Sequence, residues 1–216
     1  MKVGILGTGD VGRTLGTGFV LKGHDVLMGS RQAGNEKATA FVKSAGPKAS
    51  EGTFADAAKF GDVIVLATLW TGTKDAIDLA GGAKAFAGKV VLDATNPLDF
   101  SRGRPPRLAL GNDDSGGEQV QRWLEDARVV KWFNIVGHAS MVDPQFPEGK
   151  PDMFICGNDA DAKRTAGEIA RQFGWPEVYD IGGIEGSRVL EPLCILWVTI
   201  GMRTNSWNHA FKLLRK

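Results

Sequence analysis

Cysteine is almost missing from this chain: Cys156 and Cys194 are the only two among 216 residues. Two isolated thiols build neither a disulfide framework nor a metal site of ordinary ligand spacing. Buried, reduced thiols and a cytoplasmic setting are therefore expected. Histidine is scarce as well, with His24, His138 and His209 the only three. Neither sign of charge is in excess, since 26 lysines and arginines face 25 carboxylates. That balance speaks against nucleic acid or a charged membrane surface as a partner. No apolar run is long enough to cross a bilayer, and the richest one, residues 189–202, is interrupted by Glu191 and Pro192. The N-terminus lacks the basic and then continuously apolar pattern of a signal peptide. Internal repeats and domain-separating linkers are absent too.

Glycine is plentiful, with 29 residues, and three of them organise the reading. The apolar run Val3-Gly4-Ile5-Leu6 has the length and branching of a strand. It leads into Gly7-Thr8-Gly9-Asp10-Val11-Gly12, a G-x-G-x-x-G pattern followed by an amphipathic stretch over residues 13–22. Strand, glycine turn and helix in that order form a dinucleotide fingerprint. Gly7 permits the turn, Gly9 lets backbone approach a pyrophosphate, and Gly12 lets the helix pack on the strand.

The second strand, residues 26–29, sets the choice of dinucleotide. An NAD site wants a carboxylate at its end. This chain has Ser30-Arg31 instead, with Lys37 in the next helix, and a hydroxyl plus a guanidinium suits a 2′-phosphate. Asp25 precedes the strand and reads as a turn residue. NADP is the expected cofactor.

Alternation of apolar runs and helical patterns continues. Helices are expected over residues 35–44, 74–86, 118–126 and 161–173, and a short one ends near residue 60. Further strands are expected near Ala49 and over residues 62–67, 88–93, 128–133, 153–156 and 177–180, and everything after them reads as helical. This is an α/β chain of the Rossmann type, with a doubly wound, mostly parallel sheet. Residues 1–180 are expected to form the NADP-binding domain with its acceptor loops, and residues 181–216 a helical extension packed on it. In such sheets ligands sit at the carboxyl ends of strands. Ala67, Thr68, Leu69 and Trp70 end one strand, and Asn96-Pro97 follow another, where Asn96 would face a nicotinamide. Trp70 could equally be packing and Asn96-Pro97 a structural turn, with the bond between them trans or cis. Residues 99–117, with Arg102, Arg104 and Arg107, read as a mobile loop beside this end, a candidate lid. His138 follows the strand over residues 128–133; it is either a proton donor in the cleft or an ordinary loop histidine.

With these residues in place, the chain resembles the deazaflavin (coenzyme F420)-dependent NADP oxidoreductases over essentially its full length. The resemblance rests on Gly7–Gly12, on Gly29-Ser30-Arg31 with Lys37, on Val65-Leu66 followed by Trp70, and on Ala76-Ile77-Asp78. It rests further on Cys156-Gly157-Asn158-Asp159 and on Asp180, Gly182, Ser187, Arg188 and Glu191. Two stretches depart from the family pattern: Gly7 runs directly into Thr8 without an extra glycine, and Phe133-Asn134-Ile135-Val136 replaces a loop containing His-Thr. The resemblance implies hydride transfer between NADP and F420, or FMN in its place, in a homodimer. It also implies that the Asp180–Glu191 region accommodates the deazaflavin and the dimer partner. A similar domain forms the cytosolic part of transmembrane ferric reductases. Two other readings stay open: an NADPH-dependent reductase of a small carbonyl, imine or quinone, which needs a proton donor, and a non-catalytic NADPH-binding sensor. For transfer between two planar rings the sequence need supply only positioning groups, of which Thr8, Asn96, Pro97 and the loop ending at His138 are the candidates.

Overall fold

Short β-branched runs bounded by glycine form the strands, and amphipathic segments between them form the helices. A computed structural model describes every residue from Met1 to Lys216. The elements are β1 (Lys2–Leu6), α1 (Asp10–Leu21), β2 (Asp25–Ser30), α2 (Glu36–Ala45), β3 (Ala49–Thr53), α3 (Phe54–Phe60), β4 (Val63–Leu66), α4 (Thr73–Leu79) and β5 (Val90–Asp93). They continue as β6 (Leu98–Asp99), β7 (Arg107–Leu108), α5 (Gly116–Trp123), β8 (Arg128–Lys131), β9 (Asp152–Gly157), α6 (Ala160–Gln172), β10 (Glu177–Asp180) and α7 (Ser187–Thr204).

Eight strands make one sheet in the order β3-β2-β1-β4-β5-β8-β9-β10. All contacts from β3 to β8 are parallel, and β9 then runs antiparallel to β8. The all-buried strands β4 and β5 are covered on both faces, which is why they read as unbroken apolar runs. On one face lie Leu15 and Phe19 of α1, Phe41 of α2 and Ile169 of α6. On the other lie Ala57 of α3, Ile77 of α4 and Val120 of α5. The fold is the doubly wound α/β sheet expected, and its strand order reverses between β1 and β4.

Three expectations need correcting. The helix expected over residues 74–86 stops at Leu79, because Gly81 and Gly82 adopt φ of 109° and 66°, and only a 3₁₀ turn at Ala83–Phe86 follows. Residues 99–117 are not wholly irregular: β6 and β7 pair antiparallel, Leu98 with Leu108 and Asp99 with Arg107. The Asn96–Pro97 bond, which the sequence leaves open, is trans, and the cis X-Pro bond is Arg104–Pro105. Last, the C-terminal helix ends at Thr204, where Asn205 turns left-handed at φ 50°. The remaining residues run back as an extended strap. Its His209 accepts from Trp197 through its carbonyl (2.8 Å), and its Leu213 amide donates to Asp152 (2.7 Å).

The sheet, α5 and α7 meet at a buried charge cluster. Lys131, at the end of β8, is fully enclosed with Asp93 (2.7 Å) and Glu191 (2.8 Å), and it donates to the Thr95 carbonyl at 3.0 Å. Glu191 also accepts from the Gly116 and Gly117 amides, both at 2.9 Å, so a residue of α7 satisfies the start of α5. Burial pushes the Lys131 ammonium towards neutrality; attraction to the two carboxylates outweighs it and raises the pKa. The charge therefore favours the fold up to the ordinary lysine value of 10.5, and that contribution is lost only in stronger alkali.

Removing one partner of such a cluster strands the others without water. Lys131→Met is expected to cost about 3–5 kcal/mol, read as the shift of a urea unfolding curve at constant m. A loss below about 1 kcal/mol would mean that the two carboxylates find protons or water in the variant.

Candidate functional site

The strand-order reversal leaves a gap between the turns that follow β1 and β4, and a cleft of about 910 Å³ opens there. Its floor is the glycine turn. Gly7 has φ 126°, and a Cβ there would fall 2.4 Å from the Ala67 carbonyl oxygen, so only glycine lets the two turns touch. A Cβ on Gly12 would lie 2.2 Å from the Gly7 carbonyl oxygen, which ties the helix closely to the turn. At Gly9 a Cβ would meet nothing within 4 Å. Its open side is part of the cleft, and Gly12 alone of the six fingerprint residues lies outside the lining.

The helix behind that turn has no side-chain cap. Asn35, Thr53, Ser115 and Asp159 accept from backbone amides at the starts of α2, α3, α5 and α6. The N-cap of α1 is Gly9, a glycine like those of α4 and α7, and of these three helix starts it is the one whose cap and first residues line the cleft. Its first amides are therefore free for an anion, with the positive end of the helix dipole behind them. Asp10, the one carboxylate of the cleft lining, pairs with Arg13 on the same helix.

The β2 side of the cleft is cationic. Ser30, Arg31, Asn35 and Lys37 line it, and neither Arg31 nor Lys37 pairs with a carboxylate. The nearby acid, Glu51 on β3, is turned to the Gly34 amide at 3.0–3.1 Å. The Ser30 hydroxyl donates to the Gln32 carbonyl and holds the turn that carries Arg31. On the β4 side stand Ala67, Thr68 and Leu69, and Leu69 is 81% exposed. The Thr68 hydroxyl is hydrogen-bonded to Thr73 at 2.8 Å. His138 closes the cleft from the β8 side, exposed, with Nδ1 3.4 Å from the Thr14 hydroxyl of α1.

Three of the residues expected at this site stand apart from it. Trp70 stacks on Trp123 of α5, centroids 5.4 Å apart, and packs under Gly116. Asn96 and Pro97 follow β5 but do not line the cleft. The Asn96 amide donates to the Asn134 carbonyl (2.8 Å), and the Asn134 amide donates back to Asn96 (3.0 Å) and to the Leu190 carbonyl (3.0 Å). Phe133, just before Asn134, is left-handed at φ 52°, which seats its ring among Trp132, Phe173 and Trp175 while Asn134 turns towards Asn96. Of the residues named by the resemblance in the Asp180–Glu191 region, Ser187 meets Cys156 and Glu191 meets Lys131 in the interior, while the exposed Arg188 and Asp180 pair with Glu118 and Lys163.

Sequence reasoning missed Gln32, Asn35, Phe54 and Gly72, all of which line the cleft. Asn35 carried a signal, as an N-cap residue two positions before Lys37. Phe54 carried none, since its place depends on how β3 turns into α3. Lys131 and Asp93 escaped notice because each ends an apolar strand, where charge reads as a boundary.

The free helix start, the glycine whose open side faces the cleft and the unpaired Arg31 and Lys37 fit a phosphorylated dinucleotide. Residues 2–97 match the family described as NADP oxidoreductase coenzyme F420-dependent. The chain is 32% identical to the F420-dependent NADP reductase of Methanocaldococcus jannaschii, over 99% of this chain and 98% of that protein. A crystal structure of a candidate F420-dependent NADP reductase from Arthrobacter sp. FB24 superposes over the whole of both chains, with a TM-score of 0.94 and 36% identity. The metalloreductase STEAP3 of Rattus norvegicus is 31% identical over 89% of this chain, which covers only 36% of that longer protein. By its fold and its full-length similarity to these reductases, the chain belongs to the coenzyme F420-dependent NADP oxidoreductase family.

Proposed function

We propose that this protein transfers hydride between NADP(H) and coenzyme F420. The observation that carries the reading is a cleft with a full set of phosphate-binding groups and almost no acid–base machinery. Its only titratable side chains are Asp10, Arg31, Lys37 and His138. Free amides at the start of α1 and the open face at Gly9 would hold the pyrophosphate. Arg31 and Lys37, with Ser30, would hold the 2′-phosphate. Ala67, Thr68 and Leu69 would flank the nicotinamide end, and the locked Asn96–Asn134 pair would support the floor next to it. When bound, the nicotinamide and deazaflavin rings supply the redox chemistry themselves. The chain's part is to orient them and exclude water, which asks for no general acid.

A homodimer fits this reading. Helix α7 buries Leu190, Glu191 and Cys194, yet exposes Val189 (60%) and Leu196 (47%), which lie two turns apart on one face. An exposed apolar face on a helix that is also anchored inside suits a twofold contact. A cytoplasmic, reducing setting fits the two free thiols: burial holds Cys156 up at about 11 and Cys194 up at about 12, so neither is reactive.

Stopped-flow absorbance with NADP⁺ and reduced F420 tests the activity directly, with NADPH and FMN as a parallel pair. Fast reoxidation of F420 that survives His138→Ala nearly intact is expected. Abolition by His138→Ala, together with turnover of an imine or carbonyl, would instead mean a reaction that needs a proton donor. Arg31→Ala should weaken NADPH binding by about 1–3 kcal/mol and spare NADH, measured by fluorescence titration. Equal losses for both cofactors would place the 2′-phosphate elsewhere. Light scattering should return twice the chain mass, and Leu196→Glu should halve it; a monomeric wild type would overturn the dimer.

A further inference from the structure

The hairpin of β6 and β7 carries charge that the reading above does not use. Between residues 100 and 112 there are three arginines and no carboxylate. Arg107 is already neutralised: its guanidinium donates to Asp99 at 2.7 Å. Asp99 also accepts the Ser101 amide, and these bonds hold its carboxyl down at about 2. Arg102 and Arg104 are exposed and pair with no carboxylate. The Gly103 amide donates to the Phe100 carbonyl at 2.9 Å, so a tight turn presents Arg102 at the tip. Arg104 lies over the half-exposed Phe100 ring, 5.9 Å from its centroid. The base is fixed, because the Ala109 amide donates to the Pro97 carbonyl at 2.7 Å and β7 packs on α7.

Position tells which ligand these charges would serve. The 2′-phosphate site lies at β2, and no hairpin residue lines that cleft. The hairpin instead leaves the sheet at the end of β5, beyond β4 and away from β2. This is the side of the cleft opposite the cation pair, next to the Ala67–Leu69 turn assigned above to the nicotinamide end. Two free guanidiniums on a pinned turn there would attract a flexible polyanion rather than a neutral ring.

We infer that Arg102 and Arg104 bind the anionic tail of the deazaflavin that exchanges hydride with NADP(H), and so select a deazaflavin carrying phosphate and carboxylates over its uncharged core. The inference rests on the F420 reading above. Hydride transfer itself is untouched by these residues; they raise the deazaflavin's occupancy and its rate of arrival.

The test compares reduced F420 bearing its phosphodiester and glutamate tail with the same deazaflavin stripped to its ribityl core, both with NADP⁺. For the Arg102→Ala/Arg104→Ala double variant, KM for F420 should rise about tenfold, roughly the effect of one charge-assisted contact. Its kcat, its KM for NADP⁺ and its KM for the stripped core should stay within about twofold of wild type. Added salt should raise the wild-type KM for F420 and leave that of the double variant nearly flat. An unchanged KM for F420 in an active double variant overturns the inference, as does an equal rise for the stripped core. A wild-type enzyme inert towards both deazaflavins overturns the underlying reading and this inference with it.

Discussion

One ammonium group joins the parts of this molecule that must not move relative to one another. Lys131 ends β8, Asp93 ends β5, and Glu191 reaches in from α7 while accepting two amides of α5. A buried cation with two carboxylates is costly to assemble, and its net contribution to stability over an apolar substitute is small. What it provides is geometry. Each group is satisfied only when strand ends and helix start hold one arrangement. That arrangement carries the Thr95–Asn96 turn, whose Thr95 carbonyl takes the remaining lysine bond.

From this anchor the cleft wall and the packing behind it differ in character. The β1–β2 side of the cleft is largely backbone, with a glycine turn, an uncapped helix start and two free cations, suited to phosphate whatever the ring attached to it. Behind the cleft, on the flank of β4, β5 and β8, side chains interlock: Asn96 against Asn134, Phe133 left-handed into an aromatic cluster and Trp70 stacked on Trp123. The wall presents groups to a ligand, and the packing behind it holds the strand ends in place. On the proposed reading, a hydride donor and acceptor held at contact need both.

The glycine fingerprint, Arg31 and the doubly wound sheet were legible from the residues because each depends on near neighbours in the chain. Strand-to-helix turns, caps and apolar periodicity are local. The break at Gly81-Gly82 and the end of α7 at Asn205 were misread for a related reason. Helical periodicity continues past both points, and only backbone that turns left-handed stops the helix. Trp70 and Asn96 were open between cofactor contact and packing, and local pattern could not separate them. Trp123 and Asn134 lie 53 and 38 positions further along the chain.

What the sequence by itself determined is the phosphate-binding half: glycine where a Cβ would collide, no acid after β2, and a cation in its place. Those are properties of single positions and their steric or electrostatic limits. What only the tertiary structure decided is the company each distant residue keeps. Lys131 finds Asp93 and Glu191, Asn96 finds Asn134, and Arg107 is spent on Asp99 while Arg102 and Arg104 are left free. The reason is physical. A buried charge or amide takes whichever partner the fold brings within about 3 Å, and pairing at that range across dozens of residues leaves no periodic trace in the chain.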